Sequence, residues 1–382
     1  MKEHYIENCN ILDPNLHVLV GHELKDFLNS KLINAGDINR ILKRNGIFVP
    51  TKLEVMVPIL SSMILSPEDF SQMLTFVKNK EQRPKYRTGH IQLSTDGIDR
   101  WVDQLQNNLN NLQQLDIKRL HGNVEYDKKP TLEIQGDEVS ITYEARRKDY
   151  NEDLLKRDIV VKGAIKLRER DGELEVVSTY SSKETEDINK LIIDCIVKDF
   201  FAADITSQES IVQIKFTDFT NKNRILFFNT LVSGNHFLKE GKLQEIEVRV
   251  DDDEIDNLPQ DREVDFLRDN LKGLKILEGT ELGESFFITK VQYYPYYFLP
   301  SILVSYSFTH NANKGICKVS FFFKAIKGSY SESVLDFSLS EPKYEVGGDT
   351  PAIRREIELK LNQAIQKMIE KALKNYKSET SM

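Results

Sequence analysis

Residues 291–308 read VQYYPYYFLPSILVSYSF: Tyr293, Tyr294, Tyr296, Tyr297 and Phe298 crowd around Pro295, and an uncharged apolar run follows Pro300. Three readings compete for this stretch: a membrane span, a ring-lined binding surface, or the interior of a sheet. A span needs roughly 20 apolar residues, and two prolines within it would leave backbone groups unpaired in hydrocarbon. No membrane partner is therefore expected. From Ile302 onward, Ile302, Val304, Tyr306 and Phe308 alternate with Leu303, Ser305, Ser307 and Thr309, the two-residue period of a strand with one apolar face. The tyrosines before it then mark a strand entrance or edge, because proline cannot donate to a ladder. Tyr293, Tyr294, Tyr296 and Tyr297 are also the rings best suited to a protein partner, since an edge tyrosine keeps its hydroxyl in water.

Two more β-type runs follow, ICKVSFFFKAI at 316–326 and SVLDFSL at 333–339. Short links rich in Asn, Gly and Ser join them, as in an antiparallel meander. A helix closes the series. Thr350 is placed to cap it, Pro351 stands at its first position, and Ile357, Leu361, Ile365, Met368 and Ala372 recur at helical spacing. Glu370 and Lys374 are read as a four-residue ion pair on its solvent face.

The same plan occurs earlier. PTLEIQ, EVSITYEA, RDIVVKGAIKLRE and GELEVVSTY are four β-type runs within residues 121–182. A helix follows, with Ser181 and Glu184 as a capping box and Ile188, Ile192, Cys195 and Ile196 facing inward. Helices are also expected before each set of strands, at 95–115 and at 259–277. The expected fold class is α+β: a small helical N-terminal module (1–92, with a basic linker at its end), a first sheet-plus-helix unit (93–206) and a second (207–382). The two units read as a degenerate internal duplication, with convergent patterning as the alternative. Within the module, Ser66 and Pro67 open one helix, and Lys43, Arg44, Asn45 and Gly46 end another.

The 382 residues carry a net charge of −8, so a polyanion is not drawn in by the overall field. Nucleic-acid contact would have to be local, and the best candidate is KNKEQRPKYRTGH, where Lys78, Lys80, Arg83, Lys85 and Arg87 surround Tyr86. Arg146, Arg147, Lys148, Lys156 and Arg157 form a second basic stretch, interleaved with acids. Three distant cysteines, Cys9, Cys195 and Cys317, form neither a disulfide framework nor a CxxC metal site. With no apolar leader at the N-terminus, the cytoplasm is the expected compartment.

Catalytic patterns are sparse. P-loop, dinucleotide, nucleophile-elbow and zincin motifs are missing, and the seven histidines include no pair at ligand spacing on a helix. The acidic run Asp251, Asp252, Asp253, Glu254 and Asp256 lacks the glycine and terminal glutamate of a calcium loop. Two sets resemble the carboxylate-plus-cation pattern of metal-dependent nucleases: Asp127 with Glu144 and Arg146, and Asp336 with Glu341 and Lys343. The favoured reading is a non-catalytic binding or scaffold protein of a multi-protein assembly, with no cofactor and no metal. Its Asn, Lys and Ile content resembles AT-rich bacteria, and phage-defence components are a frequent class among bacterial proteins of this size. A metal-dependent nuclease and a nucleic-acid-binding adaptor are the alternatives.

Overall fold

A computed structural model of the chain describes residues 19–29, 33–81, 84–148, 158–251, 253–254, 257, 259, 274–277, 286–348 and 350–376. It is a mixed α+β protein with an N-terminal helical module and a large antiparallel sheet, as the two periodicities predict. Contacts divide the chain into two compact units. One holds residues 1–83, 100–165 and 179–199; the other holds 84–99, 166–178 and 200–382.

The helical module belongs to the first unit. Its helices are α1 (Gly21–Asn29), α2 (Ala35–Arg44), α3 (Leu53–Ser61) and α4 (Pro67–Glu81). Their apolar faces meet in a core of their own, with Leu24, Ile38, Ile41, Leu42, Met56 and Leu60 fully or almost fully buried. The ends form as their sequences dictate. Asn34 accepts from the Asp37 amide at 2.9 Å and Ser66 from the Asp69 amide at 3.1 Å. Gly46, at φ +74, closes α2 while the Ile47 amide reaches back to the Leu42 carbonyl at 2.9 Å.

The rest of the first unit is built on β2 (Val124–Gln135), β3 (Glu138–Lys148) and the start of β4 (Asp158–Arg170), backed by α7 (Lys183–Ala202). Strand β3 buries Val139, Ile141, Tyr143 and Ala145 and turns the alternate residues outward. The Tyr143 ring lies over Gly163, where an added Cβ would come within 2.2 Å of it. Its hydroxyl donates to the Thr185 carbonyl at 3.0 Å and to Asn189 Oδ1 at 2.9 Å, tying strand to helix. The cap of α7 differs from the expected one by a residue. Ser182 and Thr185 are the reciprocal pair, and Glu184 is free to bind Arg147 Nη1 at 2.9 Å. Cys195 is half-buried rather than part of the inward stripe.

In the second unit the strands lie in the order β5-β1-β11-β10-β9-β7-β8, with β12 on β10 and β6 on β1. They span Glu173–Tyr180 (β5), Lys85–Gln92 (β1), Leu335–Leu339 (β11), Asn313–Phe323 (β10), Tyr297–His310 (β9), Leu238–Val250 (β7), Leu274–Leu277 (β8), Lys343–Val346 (β12) and Val212–Gln213 (β6). Helices α8 (Asn221–Val232) and α10 (Pro351–Tyr376) close the core, and a single turn, α9, covers Phe286–Thr289. The Thr350 cap forms as expected, accepting from the Ile353 amide at 3.3 Å.

The stretch at 291–308 is a 3₁₀ turn over Val291–Tyr296 followed by β9, a central strand paired on both sides. Val304 and Phe308 are buried, as the alternation requires. Pro300 is accommodated by a register shift in which two residues of β9, Leu299 and Pro300, oppose the single Val248 of β7.

Between β6 and β7, α8 was not legible from periodicity, because it is apolar on nearly every side and carries a buried arginine. Arg224, 2% exposed, donates to the carbonyls of Phe216 and Phe219 at 2.9 and 3.0 Å and lies over the Phe216 ring. Most of the helix expected at 259–277 lies outside the described residues, and its last four positions are strand β8. Counting from β1, the order strand, helix, four strands, helix (β1, α5 at Gly97–Asn107 with the short α6 at Leu109–Gln113, β2 to β5, α7) is followed by β6, α8, β7, β9 to β11, α10, a series that also contains β8, α9 and β12. Among the described residues no helix is long and apolar enough to cross a membrane.

Candidate functional site

The basic stretch expected to be a linker is not one. Lys78 and Lys80 lie in α4, Arg83 lies outside the described residues, and Lys85, Tyr86 and Arg87 lie in β1. Alternation sends Tyr86 inward, where it stacks on Phe337 with centroids 5.0 Å apart, and burial raises its phenol above the usual range. Arg87 binds Asp336 with two parallel bonds, Nε to Oδ1 at 2.8 Å and Nη2 to Oδ2 at 3.0 Å, and Asp336 is fully buried. The ring that was to stack on a base and the guanidinium that was to meet a phosphate are both used by the fold.

The tyrosines of 291–308 are likewise mostly interior. Tyr293, Tyr294 and Tyr297 are buried, the last two donating to the carbonyls of Ile288 and Phe287. Tyr296 alone is partly exposed. The nuclease-like sets are taken apart in the same way. Asp127 binds Arg146 at 2.8 Å, Glu144 binds Lys128 and Lys162 at 3.1 and 3.0 Å, and Asp336 is held by Arg87. Asp251 accepts from Asn221 at 2.6 Å, while Asp252 and Asp256 lie outside the described residues. Among the described residues no group of three or more His, Cys, Asp or Glu is placed to hold a metal ion.

Two other regions of the second unit have the character of sites. The first is a cleft of about 440 Å³, lined by Thr88, Gly89 and His90 of β1, by the β4–β5 turn, by Val212 and Ile214, and by one face of α10. Gly89 is needed there, since a Cβ would meet the Val212 carbonyl at 2.9 Å and the Ile211 side chain closer still. On the wall of the cleft the carboxyls of Glu175 and Glu370 are close enough for one hydrogen bond. Only a protonated carboxyl can donate it. Burial, then the neighbouring Glu370 charge, push Glu175 up to about 7, against the pull of Arg170, whose Nη1 lies 4.0 Å away. Glu370 was expected to pair with Lys374 on a solvent face; both are exposed, but no ion pair joins them among the described residues, and the carboxyl of Glu175 lies beside Glu370. Spacing along one helix could not disclose a partner 195 positions upstream in the chain.

The second region is the face of the sheet opposite its core. Directly paired residues share a face, and the registers place Lys239 beside Ser307, Lys242 beside Ser305, Lys318 on the other side of Ser305, and Lys314 beside Thr309. These four lysines have no ion pair among the described residues; Glu240 approaches Ser307 Oγ at 3.3 Å, and Glu245 and Glu247 continue the same face, paired with Leu303 and Ser301. Lys239, Lys242 and Lys314 are exposed and Lys318 half-buried. Lys242 and Lys318 flank one strand, roughly 10 Å apart at the backbone. Sequence reading passed over them because they are scattered one at a time through strands.

Residues 22–83 match the model of a family described as GAPS4b protein N-terminal domain. The match covers the helical module. No curated protein matches the chain.

Proposed function

We propose that this chain is a binding subunit of a bacterial phage-defence assembly, acting in the cytoplasm, in which the helical module docks a protein partner. The observation that carries the reading is the family match over 22–83. It is supported by the apolar side chains that this stretch leaves in solvent: Phe48 is 76% and Ile64 88% exposed, and Leu53 and Val55 are also exposed. The test is plating efficiency of phage on cells carrying the gene with its chromosomal neighbours. Protection by the wild type is expected, with loss in the Phe48→Asp/Ile64→Asp double variant at an unchanged melting temperature. Cells plated as efficiently with the wild type as without it overturn the defence reading; full protection by the double variant overturns the docking role.

A second reading, a nucleic-acid-binding adaptor, is favoured by the lysine cluster of Lys239, Lys242, Lys314 and Lys318, which would meet the DNA backbone in place of the segment around Tyr86. Each phosphate contact contributes about 0.9 to the slope of log K against log salt on duplex DNA. Changing all four lysines to Gln should flatten that slope by about 3 to 4 and abolish binding at physiological salt. An identical slope in wild type and variant rules this surface out.

A further inference from the structure

We propose that the cleft between β1, the β4–β5 turn, β6 and α10 binds a small organic cation, an ammonium head on an apolar body, with the Glu175–Glu370 carboxyl pair receiving the head. The lining divides accordingly. Val212, Ile214, Ile369 and Leu373 supply apolar surface, and the acids Asp171, Glu173, Glu175 and Glu370 outnumber the bases Arg170 and Lys374. Mostly preformed concave sites with a few convergent polar groups are the usual form of small-ligand sites. Two adjacent carboxyls cannot both be ionised cheaply without a counter-charge, and in the free protein a proton supplies it. An ammonium group carries three donors and a full charge, so it can replace that proton and satisfy both carboxyls. Arg170, at 4.0 Å, and Arg168 offset the rise of Glu175 only in part, and Lys374 forms no ion pair among the described residues.

Binding is then coupled to loss of the shared proton. With Glu175 at about 7, the deprotonated fraction rises about tenfold from pH 6 to pH 8, and apparent affinity rises with it. The charged and titratable groups around the pair are His90 on β1, Arg168, Arg170, Asp171 and Glu173 at the β4–β5 turn, and Lys374 on α10; β6 lines the cleft with Val212, and Ile214 follows just past it. Of these, His90 is the one imidazole, so it has its own control.

The experiment is calorimetric titration of the full chain with hexylammonium, and with hexanol and hexanoate as neutral and anionic matches of the same body, at pH 6 and pH 8. Expected are hexylammonium binding about tenfold tighter at pH 8 and no measurable binding of the other two. Glu370→Gln and Glu175→Gln, each checked for an unchanged fold by thermal melting, should weaken binding at pH 8 at least tenfold and remove the pH dependence. His90→Gln should retain it. Equal binding of hexanol, absence of hexylammonium binding, or a pH dependence that survives in both glutamate variants and disappears in His90→Gln would each overturn the proposal.

Discussion

Replacing Glu175 by Gln should make the protein more stable at pH 8 and leave it nearly unchanged at pH 5. The sign follows from the direction in which burial moves this carboxyl, to about 7 from the ordinary 4.5. Between those values the folded chain keeps a proton that the unfolded chain has released. Stability therefore falls as pH rises from about 4.5 through about 7, and the favourable contribution is complete only below the unfolded value. The whole difference is on the order of 3 kcal/mol, at about 1.36 kcal/mol for each pH unit. Because the Glu175 side chain remains 19% exposed, screening by solvent leaves about 1 to 3 kcal/mol of it. Glutamine keeps a donor for Glu370 and carries no charge, so the variant loses this pH dependence and nothing else of comparable size. Urea titrations of both proteins at pH 5, 6, 7 and 8 give the difference directly, since other groups titrate equally in the two chains. A stability difference that stays constant across the four pH values would show that the carboxyl pair is ionised throughout and that the reasoning fails.

Three further outcomes follow from the packing. Phe308→Ala should cost about 3 to 5 kcal/mol in a denaturant titration, and Tyr296→Ala, partly exposed before β9, less than about 1 kcal/mol; equal costs would mean the alternation has been assigned to the wrong face. Gly163→Ala should destabilise by about 1 to 3 kcal/mol, because its methyl group would overlap the Tyr143 ring, and a Gly163→Ala/Tyr143→Leu double variant should recover part of that loss; no recovery would show that the ring is not the obstacle. A chain beginning at residue 84 should keep a cooperative thermal transition, since the module has its own core, whereas one beginning at residue 93 should lose it with strand β1. Two chains melting alike would contradict the placement of β1.

How far the sequence could be read depended on whether a signal was local. The alternation in β9, the cap at Thr350 and the Gly46 turn depend on residues within a few positions of each other, and all were legible. Strand β1 was hidden because Lys85, Arg87 and the neighbouring basic residues have the composition of a solvated linker, while the features that make it a strand are Phe337 and Asp336, some 250 positions away. Helix α8 was hidden for a different reason. A helix buried on most sides has no polar face to set its period, and Arg224 broke the apolar run that remained. The carboxyl pair combined both difficulties: each glutamate sits in an unremarkable charged context, and only the fold brings them together.

Several basic and acidic residues that looked available in the sequence are used by one another. Arg87 is used by Asp336, Arg146 by Asp127, Arg147 by Glu184 and Lys128 by Glu144. Two groups contrast with these pairs. Glu175 faces another carboxyl, with Arg170 no nearer than 4.0 Å, and Lys239, Lys242, Lys314 and Lys318 share a face without an ion pair among the described residues, although Glu240, Glu245 and Glu247 lie on the same side of the sheet. A like-charge contact and a cluster of like-charged side chains both lower stability. Places where a sequence departs from local consistency without a gain in stability are where function is to be sought. The two departures are of opposite sign and in different settings, one a cleft wall and the other an open face, so they call for different ligands: a small cation in the first case and a polyanion in the second.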